Sequence, residues 1–85
     1  MYYVYLLKNE NGTKYIGYTS DLKRRVEEHN HGINRSTKGY KWTLMYYEAF
    51  RAERDARKRE KNLKQSGQGR RWLYERVSES LCACS

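Results

Sequence analysis

The sequence predicts a small α/β (α+β) single domain: one three-stranded, mainly antiparallel sheet flanked by three helices, in the order β-β-α-β-α-α. Three observations lead there. The length, 85 residues, suits one domain and leaves no room for a second. The apolar pattern is strand-like over the first nineteen residues and over 42–50, and helical over 21–32 and beyond residue 52. Aromatic residues also supply the burial that aliphatic ones do not. Leu, Ile, Val and Phe number only thirteen in all, a fraction that with high net charge borders on disorder. Nine Tyr and two Trp add large apolar areas, and no proline interrupts regular structure. A tyrosine-rich core is expected.

Tyr2 to Leu7 is an unbroken apolar and aromatic run, too short for a helix, and its lack of alternation predicts a strand covered on both faces and central in the sheet. Residues 9–12, Asn-Glu-Asn-Gly, are turn formers, and Thr13 to Thr19 is a second strand-like run, so the two form a hairpin. Tyr5 and Tyr15 share a face only if paired residue numbers sum to an even value. A two-residue Asn11-Gly12 turn, ordinarily the stronger signal, gives an odd sum. A three-residue loop pairs Asn9 with Thr13, sets Tyr5 opposite Gly17 and Tyr15 opposite Leu7, and places Gly12 where a left-handed backbone is needed. That second register is the expectation.

Thr19, Ser20 and Asp21 are N-cap candidates for a helix whose inward face carries Leu22, Val26 and His29, with Gly32 just past its end. Residues 31–41 have a loop composition, and Trp42 to Phe50 reads as the third strand. Ala52, Ala56, Arg59 and Leu63 form a helical stripe, Gly67 and Gly69 are expected to break it, and Trp72, Leu73, Val77 and Leu81 predict a last short helix. The domain is expected over residues 1–81, with 82–85 as a disordered tail. Its Cys82 and Cys84 are too close for an ordinary disulfide, and even with His29 and His31 a zinc site is not the expectation.

Eighteen Lys and Arg against ten acids give a net charge of +8. From Arg51 to Arg76 there are ten basic and four acidic residues, so this third of the chain carries most of the excess. A concentrated positive field recruits polyanions, of which nucleic acid is the usual one. No run approaches the ~18 apolar residues of a membrane span, and no signal peptide opens the chain. A cytoplasmic, membrane-free protein is expected.

Glu60 sits roughly 60° from the centre of the apolar stripe, at the border of core and solvent. With Arg57 and Lys64 as neighbours on its helix, it would pass alone for an ordinary ion-pair partner. Arg25 and His29, four apart on the first helix, would pass for a surface cation beside a packed imidazole. The combination reads differently. Val4-Tyr5, Tyr15-Ile16-Gly17, Leu22-x-x-Arg25-x-x-x-His29 and Ala56-x-x-x-Glu60-x-x-Leu63, in that order over residues 2–64, resemble the GIY-YIG nuclease family. The likeness is strongest to its small stand-alone members and more distant to the nuclease module of the repair protein UvrC. The family's opening glycine and isoleucine are Tyr3 and Val4 here, and its late asparagine has no counterpart among Lys64, Gln65 and Gln68.

This resemblance implies metal-dependent hydrolysis of phosphodiesters, chemistry that asks a protein mainly to position groups and stabilise charge. Arg25 would hold phosphate. Glu60 would hold one weakly bound Mg²⁺ or Mn²⁺, with waters filling most of its shell. Tyr5 would help activate the attacking water, Tyr15 would orient water or phosphate, and His29 would be an alternative base or would orient a tyrosine. Arg35, Lys38, Lys41, Arg57, Lys61, Lys64, Arg70 and Arg71 are the expected nucleic-acid contacts. DNA is favoured over RNA, binding is expected through phosphates with little base readout, and a monomer is expected, with any targeting left to another protein. The competing expectation is a nucleic-acid-binding module that keeps the fold without turnover.

Overall fold

The computed structural model describes residues 1–32 and 39–79. Strands β1 (Tyr2–Asn9), β2 (Lys14–Thr19) and β3 (Trp42–Phe50) form one antiparallel sheet in the order β2-β1-β3, with helices α1 (Leu22–Asn30), α2 (Glu53–Gln65) and α3 (Gly67–Arg76). The predicted element order and the central place of β1 are both observed.

Because side chains alternate along a strand, β1 feeds two cores at once, which is why its sequence does not alternate. Val4 and Leu6 pack with Ile16, Ala56, Leu63, Leu73 and Val77 beneath α2 and α3. Tyr5 and Leu7 pack with Trp42, Leu22 and Val26 beneath α1. On β3 the alternation reverses midway: Leu6 lies opposite Tyr46 but Leu7 opposite Leu44, leaving Met45 as the extra residue of a bulge. Trp42 and Leu44 therefore face α1, while Tyr46 and Phe50 face α2 and α3. Tyrosines frame this core more than they fill it. Tyr5 alone among them is fully buried; Tyr2, Tyr18, Tyr46 and Tyr74 cover one core's margin and Tyr15 the other's.

Asp21 caps α1, its carboxylate accepting from the Arg24 amide. On α2, Ala56 and Leu63 are buried as predicted, whereas Ala52 is exposed and is the N-cap residue. Arg59 of the same stripe reaches Glu48 of β3 through paired bonds from Nε (3.1 Å) and Nη2 (3.0 Å), an arrangement that pins the helix to the sheet.

The break after α2 falls at Ser66, not at the glycines. Ser66 ends α2 and caps α3, its hydroxyl accepting from the Gly69 amide at 3.0 Å, so Gly67 and Gly69 lie in the first turn of α3. Leu73 and Val77 are buried as expected, but Trp72 points to solvent at 63% exposure. Adjacent helical residues lie about 100° apart, and the buried stripe runs through Leu73. Arg35, Lys38, Leu81, Cys82 and Cys84 lie outside the described residues.

Candidate active site

The site begins with the hairpin register. Tyr5 pairs with Gly17 and Tyr15 with Leu7, as the three-residue loop requires. Gly12 adopts φ of 83°, a conformation that glycine takes at no steric cost. Its amide donates to the Asn9 carbonyl at 3.0 Å. The side chain of Asn9 decides against the shorter turn: its Oδ1 accepts from the amides of Asn11 (3.0 Å) and Thr13 (2.9 Å), spanning the loop from a buried position.

With this register Tyr5 and Tyr15 lie side by side beneath α1, ring centroids 6.4 Å apart. His29, from the last turn of α1, packs edge-on against both, at 5.8 Å and 4.9 Å. The Tyr5 hydroxyl and His29 Nε2 are hydrogen-bonded at 2.9 Å, and both residues are fully buried. Gly17 makes this possible, because any Cβ there would collide with the Tyr5 hydroxyl. Tyr15 and Arg25 are only half-buried. Arg25 is paired with Glu28 at 3.1 Å, and its guanidinium faces the Tyr5 hydroxyl. The cluster thus has a buried inner pair, Tyr5 and His29, and a half-exposed outer layer, Tyr15 and Arg25.

Burial pushes the Tyr5 phenol up to about 12, outweighing the Arg25 guanidinium, which alone would favour ionisation. Burial and Arg25 hold His29 below the usual imidazole range, so its neutral form dominates at neutral pH. The inner pair is therefore a protonated phenol against an uncharged imidazole. A testable consequence concerns alkali. In the unfolded chain Tyr5 ionises near 10, so between pH 10 and 12 the unfolded state loses a proton that the native state keeps, and stability falls. The expected loss is about 2–3 kcal/mol, read as the difference between wild type and Tyr5→Phe in urea melts at pH 9 and pH 12. Equal pH slopes in the two proteins would contradict it.

Glu60 approaches from the opposite layer. It lies on α2, which packs against the other face of the sheet. Its carboxylate acts electrostatically on Tyr5. It is paired with Lys64 Nζ at 3.2 Å, and that ammonium also lies 5.7 Å over the Tyr15 ring. Glu60 is half-buried, at 24% side-chain exposure, in the border position its helical phase predicts. A single hard carboxylate oxygen suits Mg²⁺ or Mn²⁺ holding most of its own waters. Among the described residues no group of three His, Cys, Asp or Glu could form a fuller cage.

The structure brings Tyr5, Tyr15, Arg25, His29 and Glu60 together. The expected nucleic-acid contacts are more dispersed. Arg57 and Lys61 are exposed on α2, with Arg57 paired to Glu53 and lying over the Tyr18 ring. Lys41 precedes β3, and Arg71 pairs with Glu75 on α3. Arg70 is used internally, its Nη1 donating to the Leu63 and Lys64 carbonyls at 3.0 and 2.6 Å to close the end of α2.

One supporting residue was not legible in the sequence. The Asn30 side chain donates to the Trp42 carbonyl (3.0 Å) and accepts from its amide (2.6 Å), tying the end of α1, and so His29, to the start of β3. Trp42 in turn packs edge-on against Tyr15 at 6.1 Å. An asparagine at a helix end reads as a terminator, and nothing local marks its distant partner.

Comparison with known proteins bears on the family and the fold. Residues 1–73 match the family model described as the GIY-YIG catalytic domain. A UPF0213 protein of Streptococcus agalactiae is 38% identical over 79 residues, covering 85% of this chain and 84% of its own. One of Halobacterium salinarum is 42% identical over 67 residues, covering 76% and 87%. The solution NMR structure of a UPF0213 protein from Bacillus halodurans superposes with a TM-score of 0.57 at 32% identity, over 88% of this chain and 84% of that one.

Proposed function

We propose, since this chain belongs to the GIY-YIG family of nuclease-like catalytic domains, that it is a divalent-metal-dependent endonuclease. It hydrolyses phosphodiester bonds in nucleic acid, DNA in preference to RNA, with little sequence preference. The observation that carries this reading is the buried 2.9 Å bond between Tyr5 and His29 beneath the half-exposed Tyr15 and Arg25: a pair that can move a proton, under groups that can hold a phosphate.

Arg25 binds two phosphate oxygens with its planar fork and stabilises the charge that grows on them. Tyr15 lines up the attacking water. As that water gives a proton to the Tyr5 oxygen, Tyr5 gives its own to His29 Nε2, with the imidazole in the tautomer protonated at Nδ1. The un-ionised phenol is thus a relay, and the neutral imidazole is the acceptor. The hydroxide attacks phosphorus, and the departing oxygen takes a proton from solvent. Glu60 would hold the metal ion, whose positive charge favours the leaving oxygen.

The test is a panel of labelled duplex, nicked, branched, single-stranded and RNA substrates with Mg²⁺ or Mn²⁺. Metal-dependent cleavage of at least one is expected. Cleavage that persists in excess EDTA would refute the metal role, and tight binding without cleavage of any substrate would establish the binding-only module.

Affinity supplies a separate prediction. If four to six of Arg35, Lys38, Lys41, Arg57, Lys61, Lys64 and Arg71 contact phosphates, log affinity for duplex DNA falls with log salt at a slope of about −4 to −5. Fluorescence anisotropy from 50 to 300 mM salt reads it, and a flat dependence would overturn the phosphate-contact model.

A further inference from the structure

We propose that Lys64 is the built-in counter-cation of Glu60, which a divalent metal must displace, and that the released ammonium stays at the site to hold the substrate phosphate. This rests on the metal reading above. Lys64 Nζ lies 3.2 Å from Glu60 Oε2, one helical turn away, and 5.7 Å over the Tyr15 ring. One ammonium therefore serves both the carboxylate and the tyrosine layer.

The chemistry follows from how few anionic groups are present. Glu60 has no companion cluster of His, Cys, Asp or Glu among the described residues, so a metal ion and Lys64 compete for one carboxylate. A dication repels the ammonium as it approaches, and the pair cannot share Glu60 at full strength. The lysine stem has four rotatable carbons, and the side chain is 48% exposed, so it can leave without disturbing the helix. The Tyr15 ring, already 5.7 Å from the ammonium, retains it by cation–π attraction, on the half-exposed layer that also holds Arg25. A phosphate arriving there finds a second cation, which takes part of the positioning task in a chain lacking a late asparagine. Lys64 thus has opposite effects on the two ligands: it weakens metal binding in the free protein and strengthens phosphate binding once metal is present. A cation that served only as one more phosphate contact would leave metal affinity unchanged.

The test is Mn²⁺ titration of the nucleic-acid-free protein, followed by paramagnetic broadening of the tyrosine ring resonances, for wild type, Lys64→Met, Lys64→Arg and Glu60→Gln. Lys64→Met is expected to bind Mn²⁺ roughly two- to fivefold more tightly, the range an ion pair of this exposure supports. Lys64→Arg stays near wild type, and Glu60→Gln loses the site. In the presence of Mn²⁺, Lys64→Met binds duplex DNA several-fold more weakly. Equal Mn²⁺ affinity in wild type and Lys64→Met, with loss in Glu60→Gln, overturns the proposal and leaves the metal site standing. Broadening that is absent throughout, or that Glu60→Gln does not remove, overturns both.

Discussion

Gly17→Ala is expected to destabilise the protein by about 2–6 kcal/mol and to dismantle the Tyr5–His29 bond. A Cβ at this position would meet the hydroxyl and ring carbon of Tyr5 and come within 3.0 Å of the Tyr15 ring. Tyr5 cannot retreat easily, because it is fully buried and held by His29. Overpacking of this kind costs about 1–3 kcal/mol, and a buried hydroxyl left without its partner costs about as much again. Gly12→Ala is the informative control. There a Cβ meets nothing within 4 Å but the backbone is left-handed, so the expected cost is conformational strain of about 1 kcal/mol with the site intact. Urea melts measure both variants. Adding Tyr5→Phe, which deletes the colliding oxygen, restores part of the Gly17→Ala loss. A Gly17→Ala protein within 0.5 kcal/mol of wild type would show that the strand opposite Tyr5 does not confine it.

Glu60→Gln is expected to lower metal-dependent cleavage by a factor on the order of 10³, the scale on which single charge-stabilising groups act in such sites. Removing the half-buried carboxylate subtracts one negative charge from a basic surface, so DNA affinity is expected to stay the same or rise. Stability changes little, because the Lys64 pair is partly exposed and worth a few tenths of a kcal/mol. Cleavage rate and anisotropy on the same preparation separate these effects. Activity within tenfold of wild type would remove Glu60 from the reaction.

What the sequence revealed follows from the range over which each signal acts. The unbroken run of β1 announced its burial on both faces, and the phase of α2 put Glu60 at the core boundary, because both depend on residues close in sequence. The hairpin was harder. Asn11-Gly12 favours a two-residue turn by itself, and only the parity of the tyrosines pointed to the longer loop; the Asn9 side chain, bonding two amides, is what enforces it. Gly67 and Gly69 misled because propensity weighs least in a first turn, where the Ser66 cap governs the start. The bulge at Met45 left no local mark, since it reconciles two cores that only the folded sheet brings into register. The double engagement of Lys64 with Glu60 and Tyr15 was equally hidden: spacing shows the first contact, while the second depends on how α2 lies beside edge strand β2.

Tyr5 and His29 are among the largest fully buried side chains of the protein, alongside Leu6, Leu7 and Leu63. Natural selection for folding alone would therefore guard these two positions, whether or not any lineage used them for chemistry. Arg25 and Glu60, half-exposed and replaceable at small cost, enjoy no such protection. On the proposed function, a descendant that had drifted from enzyme to binder would shed its guanidinium and its carboxylate first and keep the tyrosine and histidine as parts of the core. If the proposed turnover is real, the persistence of the half-exposed pair, not of the buried one, is the trait that tracks it.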